Sequence, residues 1–116
     1  MSFNIIFVDP AAATYSKLES EAKKSYDNRK KNKIKKSSKQ EGLFKQVHKT
    51  IVYLSENPKH PSLNTHEYDS IPNPYYKNQK VFEAYAQNKT PGAYRVFWCY
   101  GPNKIDITII AITPHP

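Results

Sequence analysis

An arginine inside an apolar, strand-like run is the first residue of this sequence that could do chemistry. The run reads GAYRVFWCYGP from Gly92 to Pro102, and Arg95 within it is one of the chain's two arginines. A guanidinium stays charged, and its planar fork of donors matches the oxygens of a phosphate or a carboxylate. Arg95 therefore either pairs with an acid on a neighbouring strand, Glu83 or Asp106, or faces an anionic ligand.

Histidines are the side chains best suited to proton transfer near neutral pH. His60 and His66 lie with Lys59 in a proline-rich segment, and His115 stands between two prolines. Each residue of the segment could contact phosphate or transfer a proton if the segment lies beside Arg95; an ordinary surface position is the alternative. The four histidines and the single cysteine show no metal-ligand spacing, so no metal site is expected.

The net charge of +8 is concentrated in one segment of the chain. Nine of the eighteen Lys and Arg residues fall between Lys23 and Lys39, where Asp27 is the sole acid. Such a run is either a solvated helix end or a contact surface for an anionic partner, such as nucleic acid or an acidic protein. The lysines considered for that contact are Lys30, Lys31, Lys33, Lys35 and Lys36.

Length and composition predict one domain over residues 1–116. No apolar run is long enough to cross a membrane, and MSFNIIFVDP lacks the features of a signal peptide. The single cysteine, Cys99, cannot form an internal disulfide. We therefore expect a cytoplasmic protein without a membrane partner.

Two helices are predicted from local signals after a first strand in FNIIFVDP. Asp9 followed by Pro10 predicts a helix start, with a capping carboxylate and a proline at the first helical position. Apolar residues then recur every three or four positions until the lysine run. Ser38, with Glu41 three residues later, predicts a capping box and a second amphipathic helix, which ends before Pro58.

Three strands are predicted after the proline-rich segment: Val81 to Gln87, Tyr94 to Tyr100, and Ile105 to Ile112. The order strand, helix, helix and three-strand meander predicts an α+β fold. Its sheet should be mainly antiparallel, with the helical hairpin packed on one face. The other face is expected to be open.

Alternation along the middle strand assigns its side chains to faces. Arg95 and Phe97 share one side, opposite Val96 and Trp98. If Val96 and Trp98 are core residues, Arg95 and Phe97 face outward, and the Phe97 ring could stack on a base. The alternative is that Phe97 also belongs to the core and the strand is buried on both sides.

The element order and three local stretches resemble the RelE/ParE toxin superfamily of bacterial toxin–antitoxin systems. NPKHPSLNTHEY resembles the family's segment after the second helix, and AYRVFWCY its arginine-bearing core strand. IDITIIAITPHP resembles the last strand, which in many members ends near a catalytic side chain. The resemblance favours the RelE-like branch and implies a ribosome-dependent mRNA endoribonuclease that inhibits translation. A ParE-type inhibitor of DNA gyrase, or an inactive relative that only binds an antitoxin, is the alternative.

The resemblance also implies partners and roles. A cognate antitoxin is expected in every branch, and the ribosome and mRNA in the RelE-like branch, without a cofactor. Arg95 would stabilise the phosphorane formed during RNA cleavage, and His115 would act as acid or base. Lys59, His66 and Phe97 are candidate substrate contacts, and His66 matches the family best among the residues of the proline-rich segment.

Period-two counting along the last strand argues against His115. Ile105, Ile107, Ile109 and Ala111 form an apolar row that is expected to face the core. His115 shares the parity of this row, which would turn it away from an open face.

Overall fold

The computed structural model describes residues 2–88 and 92–114. Its elements are β1 (Asn4–Phe7), α1 (Ala11–Lys31), α2 (Lys39–Glu56), a 3-10 turn (Pro61–Leu63), β2 (His66–Glu67), β3 (Phe82–Tyr85), β4 (Tyr94–Tyr100) and β5 (Asp106–Pro114). The sheet order is β1-β5-β4-β3-β2, with β1 parallel to β5 and the other pairs antiparallel. The predicted α+β class, with its helical hairpin and meander, is confirmed; β2 is an additional strand.

The two helices begin close to their predicted starts. The Ser38 hydroxyl accepts from the Glu41 amide at 3.2 Å, and the Glu41 carboxylate accepts from the Ser38 amide at 2.9 Å, which completes the capping box of α2. Helix α1 begins one residue later than predicted, with Pro10 at the N-cap position. The Asp9 carboxylate accepts from the Ala13 amide at 3.3 Å. Asp9 therefore still satisfies an amide of the first turns, although it is not the capping residue.

Arg29 fastens the connection between the two helices. Its Nε and Nη2 donate to the Glu41 carboxylate at distances of 2.8–3.0 Å. Its Nη1 donates to the carbonyls of Ile34 and Lys35 at 3.2 and 3.0 Å. The hydrogen bond from Arg29 is the largest cause that lowers the pKa of Glu41, to about 2. Arg29 thus ties the loop between the helices to the end of α1 and the start of α2.

The main core lies between the hairpin and one face of the sheet. Val47 and Leu54 of α2 are fully buried against Val96 and Trp98 of β4. Burial of such side chains is the principal stabilising term for a chain of this size. We call this side of the sheet the helix-bearing face, and the opposite side the far face.

The far face is partly covered, so the prediction of an open face is wrong. Residues 68–80 fold back across it, and Tyr68 packs on Phe97 with ring centroids 4.7 Å apart. Further along the segment, Tyr75 packs against a small second core that contains Cys99. The Thr108 and Tyr75 hydroxyls are hydrogen-bonded to each other at 3.1 Å. The segment thereby covers the part of the far face that contains Phe97, Cys99 and Thr108.

A β-bulge changes the pairing of β5 with β4. Trp98 pairs with Ile109, whereas the preceding residue, Phe97, pairs with Ala111. Ile110 therefore has no partner in the register. An inserted residue of this kind turns every later side chain of its strand to the other face.

The bulge corrects the predicted apolar row of β5. Ala111 pairs with Phe97, and Thr113 pairs with Arg95, so both lie on the far face, because directly paired residues share a face. Ile105, at the other end of the row, is 59% exposed. The parity argument against His115 therefore fails, and His115 itself lies outside the described residues.

Candidate functional site

Arg95 lies on the far face and is only 6% exposed. Its Nη1 donates to the Gln87 carbonyl at 2.7 Å. Its guanidinium carbon lies 3.7 Å from the centroid of the Tyr85 ring. Its Nε is buried without a hydrogen-bond partner among residues 2–88 and 92–114. A ring and a carbonyl thus hold the guanidinium in place while part of its donor capacity is unused.

The structure corrects the predicted exposure of Arg95 and Phe97. Both lie on the same side of β4, as alternation predicted, but Phe97 is 1% exposed because the Tyr68 ring packs on it. Phe97 therefore contributes to packing and does not present a free ring for a base. The alternative stated from the sequence, a strand buried on both sides, is the one observed.

The two acids considered as partners of Arg95 have other contacts. The Asp106 carboxylate accepts hydrogen bonds from the side chains of Asn4 at 3.2 Å and Asn103 at 3.0 Å. Glu83 is 2% exposed, and its Oε1 lies 2.5 Å from Nε2 of His66. Asp106 is therefore bound in a loop contact at the start of β5, and Glu83 forms a histidine–carboxylate pair.

His66 forms the exposed half of that pair. Its side chain is 47% exposed, and its Nδ1 lies 3.0 Å from the Asn64 carbonyl oxygen. The Glu83 carboxylate and the Asn64 carbonyl thus contact the ring at its two nitrogens and fix its orientation. His66 thus presents a positioned, solvent-accessible imidazole at the sheet edge.

Strand register brings this pair and Arg95 together. Tyr85 pairs with Arg95, and Glu83 pairs with Phe97, so Glu83 and Arg95 share the far face. Across β2 and β3, His66 pairs with Glu83, and its ring meets the Tyr85 ring edge-on at 5.7 Å. We call Arg95, Tyr85, Glu83 and His66 the Arg95 cluster. In such an arrangement the guanidinium can bind an anionic oxygen. The neighbouring imidazole–carboxylate pair can transfer a proton.

Lys59 and His60 do not join the Arg95 cluster. They line a cavity of about 480 Å³ together with Phe82, Trp98 and Tyr100. Trp98 belongs to the core of the helix-bearing face. Of Lys59, His60 and His66, only His66 therefore lies on the side of Arg95.

The lysines of the predicted contact surface are solvent-exposed. Arg29 is half-buried against Glu41, while its lysine neighbours extend into solvent. These exposed residues are Lys30, Lys31, Lys33, Lys35 and Lys36. They form a positively charged surface, here called the basic connection, on the loop between the helices and the end of α1.

Sequence reasoning gave no role to Tyr85. It considered Glu83 only as a possible partner of Arg95, without placing it beside His66. The available signal was an acid between Phe82 and Ala84 inside a strand, because a carboxylate buried among apolar neighbours requires a specific partner. Pairing of β2 with β3 supplies that partner, and no local pattern indicates a two-residue strand.

Other types of site have less support from the structure. Across residues 2–88 and 92–114, no group of His, Cys, Asp and Glu side chains is arranged to hold a metal ion. No helix in this part of the chain is long and apolar enough to cross a membrane. Burial raises the pKa of the Cys99 thiol to about 11, which opposes a nucleophilic role.

Comparison with known proteins identifies the fold. No protein-family model matches the chain, and no curated protein sequence matches it. Among solved structures, the YoeB dimer from Staphylococcus aureus is similar over 100% of both chains, with a TM-score of 0.58 and 12% sequence identity. At this identity the similarity concerns the fold, which is of the YoeB/RelE-like type.

Proposed function

We propose that this protein is the toxin of a RelE/YoeB-type toxin–antitoxin system and that it cleaves mRNA at the ribosome. The observation that carries the proposal is the Arg95 cluster. In it the Tyr85 ring contacts both a buried arginine and the histidine of an imidazole–carboxylate pair. The YoeB-like fold supports the protein class. The reaction is argued from the cluster's residues.

Phosphate binding is assigned to Arg95. RNA cleavage by the ribose 2′-hydroxyl creates a phosphorane, whose extra negative charge must be stabilised in the transition state. The guanidinium carbon lies over the Tyr85 ring, 3.7 Å from its centroid. A cation that is already oriented and largely desolvated stabilises developing charge without reorganising. Arg95 is therefore the proposed phosphorane stabiliser.

Proton transfer is assigned first to His66. Its ring is solvent-accessible and is held by contacts with the Asn64 carbonyl and the Glu83 carboxylate, which positions it for proton transfer to the leaving 5′-oxygen. Glu83 orients this ring. His115 remains the proposed second proton-transfer group, on the basis of the family resemblance.

The basic connection is proposed to bind an anionic partner. Its exposed lysines suit an acidic segment of a cognate antitoxin or the phosphates of ribosomal RNA. Lys59 is not assigned to the reaction, because it lies on the other side of the sheet from Arg95.

The proposal is tested by mapping new mRNA 5′-ends shortly after induction of the protein. We expect fresh ends confined to translated regions with the wild type. Arg95→Lys keeps the charge but loses the planar fork, so cleavage should fall by about 10²–10³-fold, the scale of losing one transition-state donor. Arg29→Lys is the matched control, because it makes the same substitution at the other arginine of the chain, which lies in the helical hairpin. This control should retain the ends.

Two variants test the proton-transfer groups, and circular dichroism verifies that each is folded. His66→Gln and His115→Gln should each reduce the yield of new ends; wild-type yield from either variant would remove that histidine from the mechanism. Growth arrest without new ends would contradict the nuclease proposal and direct attention to gyrase. A folded protein that causes neither arrest nor new ends would be an inactive relative.

A further inference from the structure

The chain just after β3 bulges opposite Tyr94 of β4. The amides of Ala86 and Gln87 both donate to the Tyr94 carbonyl, at 3.2 and 3.1 Å. Two residues opposite one is the arrangement of a β-bulge, which is common at sheet edges and beside active sites. The next residue of β4 after Tyr94 is Arg95. The bulge therefore adjoins the strand position of the proposed phosphorane stabiliser.

The side chain of Gln87 replaces its own carbonyl in the pairing of these two strands. In a regular antiparallel pair, opposite residues exchange both backbone hydrogen bonds, so the Tyr94 amide would donate to the Gln87 carbonyl. Here the Tyr94 amide donates to Oε1 of Gln87 at 3.1 Å. The Gln87 carbonyl instead accepts from Nη1 of Arg95 at 2.7 Å, whereas the carbonyls of Ala93 and Tyr94 lie 3.4 Å from the same nitrogen.

Helix α2 fixes the orientation of the Gln87 side chain. A backbone amide can only donate, so the Gln87 atom that faces Tyr94 is the oxygen, and Nε2 faces the other way. This Nε2 donates to Oε1 of Gln46 on α2 at 2.9 Å. Val47, the next residue of the helix, is fully buried in the main core, which holds this part of α2 against the sheet. The Gln87 amide is therefore held at both ends.

We infer that Gln87 is a positioning residue for Arg95 and that Gln46 acts on Arg95 through Gln87. Without the Gln87 side-chain oxygen, the Tyr94 amide would lack an acceptor, and regular pairing would supply the Gln87 carbonyl in its place. Arg95 would then lose its shortest hydrogen bond. Neither glutamine has to contact RNA in this role. The consequence for catalysis rests on the proposed function, in which Arg95 stabilises the phosphorane.

The chain contains only two arginines, so the positioning of Arg95 can be measured without any reaction. NMR spectra of the whole protein labelled with ¹⁵N-arginine contain guanidinium signals from Arg29 and Arg95 only, and Arg29→Lys assigns them. A hydrogen bond to one Nη group slows rotation about the Nε–Cζ bond, so the two Nη groups give separate signals. We expect separate Arg95 signals in the wild type and averaged signals in Gln87→Leu, with the Arg29 signals unchanged.

Variants of Gln46 test the same contact without altering the half-buried Gln87, because Gln46 is exposed. Gln46→Leu removes the acceptor of the Gln87 amide, whereas Gln46→Glu keeps an oxygen there. We expect the two Arg95 Nη signals to broaden towards averaging in Gln46→Leu and to stay separate in Gln46→Glu. Gln40→Leu makes the same change at another exposed glutamine of α2 and should give the wild-type spectrum.

Two spectra would overturn the inference. Separate Arg95 signals in a folded Gln87→Leu protein would show that the Gln87 side chain does not position the guanidinium. Wild-type signals in Gln46→Leu would remove Gln46 from this role. Circular dichroism verifies that each variant is folded, and if Gln87→Leu is not, the comparison of Gln46→Leu with Gln46→Glu decides.

The effect on the reaction is measured as cleavage of mRNA on purified ribosomes with the protein in excess. The maximal rate should fall by about 10-fold to 10²-fold in Gln87→Leu, the scale of a misplaced catalytic group. It should fall by about fivefold in Gln46→Leu, the equivalent of one hydrogen bond, and recover in Gln46→Glu. The half-saturating protein concentration should not change, because the positioned charge acts in the transition state.

The outcomes separate this inference from the proposed function. Averaged Arg95 signals in Gln87→Leu, with no cleavage by the wild type, would support the positioning and contradict the nuclease proposal. Cleavage by the wild type, with both the Arg95 signals and the maximal rate unchanged in Gln87→Leu, would overturn the inference and leave the nuclease proposal standing. A lower rate with unchanged Arg95 signals would indicate a structural role for Gln87 and would also overturn the inference.

Discussion

The contact between Arg95 and Tyr85 should contribute measurably to the stability of the protein. The guanidinium carbon lies 3.7 Å from the ring centroid, and Arg95 is 6% exposed. Cation–π pairs contribute about 0.5–1 kcal/mol at exposed sites and about 2 kcal/mol or more when desolvated. We therefore expect a coupling free energy of about 2 kcal/mol between Tyr85→Leu and Arg95→Met in a double-mutant cycle.

The assay is urea unfolding of four proteins: wild type, the two single variants and the double variant. Far-UV circular dichroism follows unfolding, because Trp98 fluorescence could respond to changes in neighbouring rings. Leucine and methionine keep much of the buried volume, which limits cavity formation. Linear extrapolation gives each free energy of unfolding, and the difference between the double variant and the sum of the singles gives the coupling.

The chain contains its own control pair. The Arg29 guanidinium carbon lies 5.1 Å from the Tyr26 ring centroid, and Tyr26 is 43% exposed. The same cycle with Tyr26→Leu and Arg29→Met should give no more than about 0.5–1 kcal/mol. A coupling of Tyr85 with Arg95 no larger than this would contradict the reasoning. The Gln87 carbonyl would then be the principal contact that orients Arg95.

Two further predictions concern titration. Glu41, whose pKa falls from 4.5 to about 2 mainly through the hydrogen bond from Arg29, contributes stability that is fully present above pH 4.5 and is lost towards pH 2. Glu41→Gln should therefore lower the urea midpoint of unfolding at neutral pH and reduce the decrease of that midpoint between pH 4.5 and pH 2. The same decrease in the variant as in the wild type would be inconsistent with this role. Cys99, buried and with its pKa raised to about 11, should react with a maleimide no faster than the protein unfolds and fully in urea. Rapid labelling in native buffer would show that the thiol is accessible.

The helices and the central strand could be predicted because their signals are local. The capping box at Ser38 and Glu41 is a contact between residues three apart, and its sequence signature is correspondingly strong. Strand β4 has its predicted bounds, Tyr94–Tyr100, since a run of apolar β-formers lies between glycines at 92 and 101. Alternation also placed Arg95 and Phe97 on one side correctly.

The candidate site depended on contacts that leave no local signal. Alternation assigns a side chain to a face but does not say what covers that face, so burial of Phe97 under Tyr68 was missed. Strand β2 has two residues, both exposed, and thus shows no periodicity. The pairing of His66 with Glu83 follows only once that strand joins the sheet.

The bulge in β5 also affects how this chain is aligned with other proteins of the same fold. Along this one continuous strand, the odd-numbered residues before Ile110 lie on the helix-bearing face, whereas after Ile110 the even-numbered residues do. A sequence alignment with a protein that has a regular final strand needs a one-residue gap opposite Ile110, so that residues on the same face are aligned. Without that gap, Thr113 would be matched with a core residue and Ile112 with a residue of the far face. The roles of residues at the end of β5 should therefore be assigned from a structural alignment rather than from a sequence alignment.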